Sequence, residues 1–176
     1  MKRKILITGL PRSGKSTLIS KLIDHYSKKN YTIRGFQTPE VRESGNRIGF
    51  DIIDIYSGKI SQLARVGDLK TKYRVGKYTV FVEEFDKYLA DSLDLEGKVI
   101  DLIVIDEIGK MELFSKEFQN FVKRIFISNK TILATIGLKL NHPIKDFLLS
   151  LPTVQLLNLN RQNFQTVLQK VISLIN

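Results

Sequence analysis

Residues 9 to 16 of this chain of 176 residues read Gly9-Leu10-Pro11-Arg12-Ser13-Gly14-Lys15-Ser16 and give the strongest indication of its fold. It fits the pattern G-x-x-x-x-G-K-[S/T], in which the glycines let the main chain wrap an anion with its own N–H groups. The preceding run, Lys4 to Thr8, is short and aliphatic, as in a buried strand, and apolar residues recur at helical spacing from Ser16 onward. The order strand, glycine-rich loop, helix therefore predicts a phosphate-binding loop.

Two residues of this loop have an expected chemical role, and the whole loop is expected to bind the nucleotide. The ammonium group of Lys15 is expected to contact the β- and γ-phosphates of a nucleotide and to act in catalysis, and the hydroxyl of Ser16 to coordinate Mg²⁺. An ordinary βα turn with a solvent-exposed lysine is the alternative. The residues expected to bind the nucleotide are Gly9, Leu10, Pro11, Arg12, Ser13, Gly14, Lys15, Ser16 and Thr17.

A pair of carboxylates follows the aliphatic run Leu102 to Ile105. Asp106 is expected where that strand ends, at the sheet edge that binds ligands in open α/β folds, and is predicted to hold the magnesium ion with its water shell. Glu107 is predicted to orient and deprotonate an attacking water. Strand alternation turns it away from Asp106 unless the chain bends there. The alternatives are a plain strand-end acid for Asp106 and a supporting or surface group for Glu107.

The rest of the chain alternates between strand-like and helix-like segments. This order predicts a mostly parallel α/β sheet flanked by helices, with an inserted antiparallel hairpin, in a single domain over residues 1–176. Helices are expected around Phe85 and Leu89, after a capping Ser115, and from Phe164 to Ile175. The further strands are expected at Tyr31 to Thr38, Arg47 to Ile55, Lys59 to Val66, Val99 to Ile105, Thr131 to Ile136 and Val154 to Leu159.

Composition excludes several classes of protein. The chain has no cysteine and two histidines, so disulfide frameworks, thiolate nucleophiles and cysteine zinc sites are excluded, and any metal should be a hard ion held by oxygens. The aliphatic runs are far shorter than a membrane span, which excludes an integral membrane protein. Met1 to Lys4 are mostly basic, but the apolar run after them is too short for an export signal, so we expect a cytoplasmic protein.

The net charge of +10 indicates anionic partners. Residues 1–34 hold nine basic residues against the single acid Asp24. Nucleotides fit this charge balance, and RNA or DNA is a possible partner. RNA-binding modules, however, interleave aromatic residues with their basic residues, and Tyr26 is the only aromatic residue among the first 30. A solvated basic face is the alternative.

Two short patterns point toward a signalling GTPase. Asp106 to Gly109 fits D-x-x-G, and Asn129-Lys130 begins the guanine-reading pattern N-K-x-D, but no aspartate follows. Because the guanine reader is incomplete, base selectivity should be loose.

Longer blocks carry a resemblance to a known family. Asp106 to Ser115 reads DEIGKMELFS, and Gly35 to Arg42 reads GFQTPEVR and continues through Arg47 to Gly49-Phe50. With these blocks the chain resembles the small P-loop nucleoside-triphosphatases of the THEP type, also called cancer-related nucleoside-triphosphatases. Further matches over essentially the whole chain are Val75 to Tyr78, Ala134 to Ile136 and His142-Pro143.

The resemblance implies slow, Mg²⁺-dependent hydrolysis of nucleoside triphosphates with little base preference, on a fold similar to nucleotide kinases. It carries over Lys15 and Ser16 as phosphate and magnesium groups, and Asp106 and Glu107 as metal and water-activating carboxylates. It also makes three basic residues candidates for contacts to the γ-phosphate or a second ligand, with loop and hairpin surface charge as the alternative. These residues are Arg42, Arg47 and Lys110.

One segment departs from the family. Members tend to carry an Asn-Arg pair near the start of the last helix, where this chain has Asn163-Phe164, with Asn160-Arg161 three residues earlier. The arginine contact to the base is then lost or shifted. Asn163 also fits a plain helix-start residue.

Two rival functions remain. A small-molecule or nucleoside kinase would close an arginine-bearing lid over the phosphates. Seven of the nine arginines precede residue 75, and Gly137 to Leu151, where a lid is expected, has none. A nucleotide-dependent RNA-binding protein is the other rival, on the strength of the net charge.

Overall fold

The structure is a computed structural model that describes residues 3–67, 71–93, 95 and 97–176. Met1 and Lys2 of the basic N-terminal stretch thus lie outside the described residues. The strands are β1 (Lys4–Gly9), β2 (Ile33–Gln37), β3 (Glu40–Glu43), β4 (Asn46–Asp54), β5 (Ile60–Val66), β6 (Arg74–Val75), β7 (Tyr78–Val80), β8 (Leu102–Ile108), β9 (Ile132–Gly137) and β10 (Val154–Asn158). The helices are α1 (Lys15–Ser27), α2 (Val82–Ser92), α3 (Lys116–Ile127), α4 (Pro143–Ser150) and α5 (Phe164–Ile175), with a short 3₁₀ turn at Glu112–Phe114.

The described strands form one sheet in the order β10-β1-β9-β8-β2-β4-β5-β7-β6, with β3 paired to β4. The first five strands of this order run parallel. Their carboxyl ends therefore meet at one edge, and β1, which delivers the glycine-rich loop, lies between β9 and β10. The predicted α/β architecture is confirmed.

The antiparallel part is larger than the hairpin that the sequence predicts. The β4–β5 hairpin is present, and β3, β6 and β7 extend it. Gly76 adopts a φ of 57° in the turn between β6 and β7, a conformation that favours glycine.

Both faces of the parallel strands are covered, which explains their continuous apolar runs. Ile5 and Ile7 of β1 pack into a core with α1 and α5. Leu6, between them, points to the opposite face, into a core shared with α2, α3 and α4. Because β1 is buried on both sides, the loop that follows it starts from a fixed position.

One strand differs from the sequence-based prediction: the strand expected from Val99 begins only at Leu102 and continues to Ile108, and the Val99 side chain is 82% exposed. The segment Gly137 to Leu151, where a kinase would carry its lid, contains α4. This helix starts at Pro143 and is capped by the His142 imidazole, whose Nδ1 accepts the Ile144 N–H at 3.1 Å. Among the described residues, no helix combines the length and the apolar character that crossing a membrane requires.

Candidate functional site

The glycine-rich loop joins β1 to α1 in a conformation that explains its glycines. Gly14 precedes α1 with a φ of 98°, and Arg12 has a φ of 64°. A Cβ at Gly9 would stand 2.4 Å from the Leu159 carbonyl oxygen and 2.6 Å from the Ser13 hydroxyl. Only glycine fits at position 9, because a side chain would collide with the main chain beside β10.

Lys15 is the first residue of α1, and its side chain turns back to the loop. Its Nζ donates to the carbonyl oxygens of Gly9 and Leu10, each at 3.2 Å. The first turn of α1 holds no acidic residue, so its free N–H groups and the positive end of the helix dipole stay available to an anion. The loop thus combines an ammonium group with a helix N-terminus.

Asp106 lies on β8 beside the loop, and its side chain is buried. The Thr135 hydroxyl of β9 donates to its Oδ1 at 2.6 Å, and the Ser16 hydroxyl and the Gln37 amide also hydrogen-bond to this carboxylate. Burial raises the pKa of Asp106, while these hydrogen bonds and the charge of Lys15 act in the opposite direction. The structure therefore brings Asp106 and Ser16, which come from different elements, into contact.

This pair fits a magnesium ion by its chemistry. A hydroxyl and a carboxylate are oxygen donors, and Mg²⁺ is commonly held by one or two protein groups together with substrate phosphates and waters. Within the described part of the chain, no group of three or more His, Cys, Asp or Glu side chains could hold a metal ion alone. Ser16 and Asp106 would hold the ion only jointly with a nucleotide.

Glu107 faces the same site as Asp106. The ladder between β8 and β9 is irregular between Ile105 and Ile108, so the regular alternation of side chains is interrupted here. Burial raises the pKa of Glu107; the charge of Lys15 opposes this shift, and the neighbouring Asp106 adds to it. The bend that a water-activating role requires is thus present.

A cavity of about 560 Å³ lies next to the loop. Arg161, which comes three residues before the position where the family tends to carry its arginine, lines this cavity and therefore lies beside the loop. Leu138 and Asn158, neither of which the sequence indicated as a site residue, also line the cavity. Leu138 directly follows β9 and Asn158 ends β10, and a position at the carboxyl end of a parallel strand is the feature that could have identified them. Its lining residues are Leu10, Pro11, Arg12, Ser13, Leu138, Asn158, Leu159, Asn160 and Arg161.

The amide side chains at the cavity are engaged in their own turn. Asn160 Oδ1 accepts the N–H groups of Gln162 and Asn163, each at 2.9 Å. Asn163 accepts the Asn160 N–H through Oδ1 and donates to the Asn158 carbonyl through Nδ2, both at 2.8 Å. Asn163 occupies the N-cap position of α5, but its side chain does not cap the helix.

The three further basic candidates lie elsewhere. Arg42 and Arg47 both pair with Glu40 on the β3–β4 hairpin, at 2.6 and 2.5 Å, and Arg47 also donates to the Tyr78 hydroxyl at 2.8 Å. Lys110 is exposed on the turn after β8. The structure thus brings Lys15, Ser16, Asp106 and Glu107 together, but it does not bring these three residues into contact with them.

Comparison with known proteins agrees with this geometry. The family model described as NTPase matches residues 4–172. A nucleoside-triphosphatase THEP1 from Thermotoga sp. (strain RQ2) is 42% identical over 172 residues, which cover 98% of this chain and 95% of the relative.

Two solved structures are similar over nearly their full length. The crystal structure of THEP1 from the hyperthermophile Aquifex aeolicus has a TM-score of 0.86 and 35% identity, and covers 98% of this chain and 99% of that one. The solution structure of a human cancer-related nucleoside triphosphatase has a TM-score of 0.81 and 31% identity, and covers 99% of this chain and 97% of that one. By sequence and by fold, the chain belongs to the nucleoside-triphosphatase family of P-loop proteins.

Proposed function

We propose that this protein hydrolyses nucleoside triphosphates at the β–γ phosphoanhydride, slowly, with Mg²⁺ and with little preference for the base. The observation that carries the proposal is the convergence of two segments of chain at the glycine-rich loop, Lys15 and Ser16 at the start of α1 and Asp106 and Glu107 on β8. Residues 1–176 are proposed to act as one catalytic domain.

The loop residues Gly9 to Thr17 bind the phosphates. Their N–H groups and the N-terminus of α1 point at the anion, and the Lys15 ammonium exchanges its two carbonyl partners for the β- and γ-phosphate oxygens. Ser16 and Asp106 would hold Mg²⁺, which would neutralise charge on the phosphates when bound. Lys15 stabilises the charge that develops as the terminal bond breaks.

Glu107 orients the attacking water and takes its proton. Burial raises the pKa of Glu107, which makes it a stronger base, and the charge of the nearby Lys15 opposes this shift. A water is the nucleophile in this proposal rather than a substrate hydroxyl, because the segment where a kinase lid is expected forms α4 and carries no arginine.

The loose base preference follows from the cavity beside the loop. The exposed Leu138 side chain and Arg161 both line this cavity, and an apolar contact or a contact to a guanidinium is available to any base. Oδ1 and Nδ2 of Asn163, and Oδ1 of Asn160, are all engaged in their own turn and do not contribute to reading base edges. Arg42, Arg47 and Lys110 join this proposal as γ-phosphate or second-ligand contacts, which requires both arginines to leave Glu40.

Phosphate release from ATP, GTP, CTP and UTP with Mg²⁺ and no added acceptor tests the proposal. We expect release from all four, at rates within about tenfold of one another. In Glu107→Gln, which keeps the size of the side chain, turnover should fall by roughly 100-fold or more while nucleotide affinity changes less than about twofold. Equal turnover in this variant and the wild type would remove Glu107 from the mechanism, and release that depends on an added acceptor would indicate a kinase.

A further inference from the structure

Arg12 stands in the glycine-rich loop at a position whose backbone conformation favours glycine. The N–H of Ser13 donates to the Leu10 carbonyl oxygen at 3.1 Å, which closes a four-residue turn with Pro11 in its second position. Arg12, in the third position, has a φ of 64°. Proline followed by a positive φ is typical of a type II turn, whose third residue is usually glycine. The loop therefore carries a long charged side chain where glycine would be less strained.

The guanidinium of Arg12 is not paired with a carboxylate in the part of the chain that the structure describes. Its side chain is exposed, and none of the ion pairs among the described residues includes it. Arg12 lines the cavity of about 560 Å³ beside the loop, and Arg161 adds a second positive charge to the same lining. None of the described residues that line this cavity is acidic. Two cations without an acid favour an anionic ligand.

The arrangement of the site indicates which part of a nucleotide meets Arg12. Lys15, Ser16 and Asp106 belong to the end proposed for Mg²⁺ and the β- and γ-phosphates, and none of these three lines the cavity. The cavity is the part of the site proposed for the base. The α-phosphate links the β-phosphate to the sugar, so it belongs where the loop borders the cavity. Arg12 lies at that border, because it is a loop residue that also lines the cavity.

We propose that the guanidinium of Arg12 binds the α-phosphate of the nucleotide and thereby contributes equally to the binding of the triphosphate substrate and of the diphosphate product. This inference rests on the proposed hydrolysis, which breaks only the β–γ bond. The α-phosphate keeps its charge during that reaction, so the contact is as strong in the ground state as in the transition state. Arg12 is therefore a binding residue that lowers KM and favours product inhibition without raising kcat.

The decisive measurement is the affinity for ADP with Mg²⁺, by titration calorimetry, beside the steady-state hydrolysis of ATP. In Arg12→Ala, the dissociation constant of ADP and KM for ATP should rise by the same factor, about five- to 20-fold, because a charge-assisted contact to a phosphate is lost. The kcat should stay within about twofold of the wild-type value, since the contact does not change in the transition state. Arg12→Lys should lose less affinity, because it keeps the charge but not the guanidinium fork.

Arg12→Gly separates the side chain from the backbone conformation. Glycine lacks the guanidinium but adopts a positive φ without strain, so this variant should bind ADP as weakly as Arg12→Ala. Its Tm should lie about 2–4 °C above that of Arg12→Ala. Lys21→Ala is the matched control for the loss of one positive charge, because Lys21 is exposed on α1 and does not line the cavity. Its affinity for ADP should stay within about twofold of the wild-type value.

Each opposite result overturns the inference. A lower kcat with unchanged ADP affinity in Arg12→Ala would place the guanidinium at the γ-phosphate. ADP affinity that falls no further in Arg12→Ala than in Lys21→Ala would leave Arg12 as general surface charge. Wild-type affinity in Arg12→Gly, with weak binding in Arg12→Ala, would assign the effect to the loop backbone.

Failure of the hydrolysis proposal has a different signature. ADP binding requires no turnover, so the contribution of Arg12 is measurable even in a protein that releases no phosphate. Absent phosphate release by the wild type would refute the hydrolysis, whereas unchanged ADP affinity in Arg12→Ala would refute the α-phosphate contact alone.

Discussion

Replacing Thr135 by valine removes one hydrogen bond from the most buried part of the site. The Thr135 side chain is fully buried, and its hydroxyl donates to Asp106 Oδ1 at 2.6 Å. Valine has nearly the same shape, so the substitution removes the donor without opening a cavity. A hydrogen bond to a charged group contributes about 1.5–3 kcal/mol to stability.

The expected loss can be measured by thermal and urea unfolding at pH 7. In a protein of this size each kcal/mol corresponds to about 2–4 °C in Tm, so Thr135→Val should lower Tm by roughly 3–12 °C. Because the bond also opposes the rise in the pKa of Asp106, its removal raises that pKa further. The acidic limb of the pH–rate profile should therefore move to higher pH, since a protonated Asp106 holds Mg²⁺ less well.

Thr8 provides a matched control on the neighbouring strand. Thr8 is 3% exposed on β1, and its hydroxyl has no hydrogen-bond partner among the residues that the structure describes. Thr8→Val removes an unpaired polar group, which should leave stability unchanged or raise it. If Thr135→Val is no less stable than Thr8→Val, the hydroxyl of Thr135 does not support Asp106 and this part of the site is misassigned.

Two further predictions concern the cavity beside the glycine-rich loop and the buried carboxyl group of Glu112. Arg161→Ala should raise KM about three- to tenfold for all four nucleotides, with kcat unchanged, because it removes a contact that any base can make; a loss confined to one base in steady-state assays would contradict this. The pKa of Glu112, raised by burial beside Glu107 to about 8, means that the folded chain binds a proton more tightly than the unfolded chain. This contribution to stability is present below the ordinary glutamate pKa and is lost as pH rises through about 8, with a slope of up to about 1.4 kcal/mol per pH unit. Glu112→Gln has no carboxyl group to titrate at this position. In urea unfolding at a series of pH values, the free energy of unfolding of the variant should therefore rise relative to that of the wild type as pH increases. Free energies that change with pH in parallel in the two proteins would refute the raised pKa.

Local sequence patterns predict the elements that build the phosphate site. The strand, loop and helix from Lys4 to Tyr26 have unambiguous periodicity, and tertiary packing reinforces it because β1 is buried on both faces. Very short strands are not indicated by such patterns. β6 and β7 have two and three residues, too few for alternation to appear, although Gly76 between them indicates a turn.

The arrangement of the acids depends on packing that a sequence does not display. Alternation along a regular strand separates Asp106 from Glu107, whereas the irregular ladder turns both toward Lys15. Glu112 stands within the block Asp106 to Ser115 without a predicted role, and only the structure shows that the turn after β8 buries it. Nucleic-acid binding by the basic surface stays a prediction from composition.

The comparison of Lys15→Ala with Lys21→Ala separates phosphate binding by Lys15 from the general effect of losing a lysine on α1. Both lysines lie on α1, but only Lys15 contacts the loop, and Lys21 is exposed. Phosphate release from the four nucleotides with Mg²⁺ should nearly vanish in Lys15→Ala, with much weaker nucleotide binding, and should stay at the wild-type level in Lys21→Ala. Wild-type turnover and affinity in Lys15→Ala would contradict the phosphate-binding loop and every role derived from it.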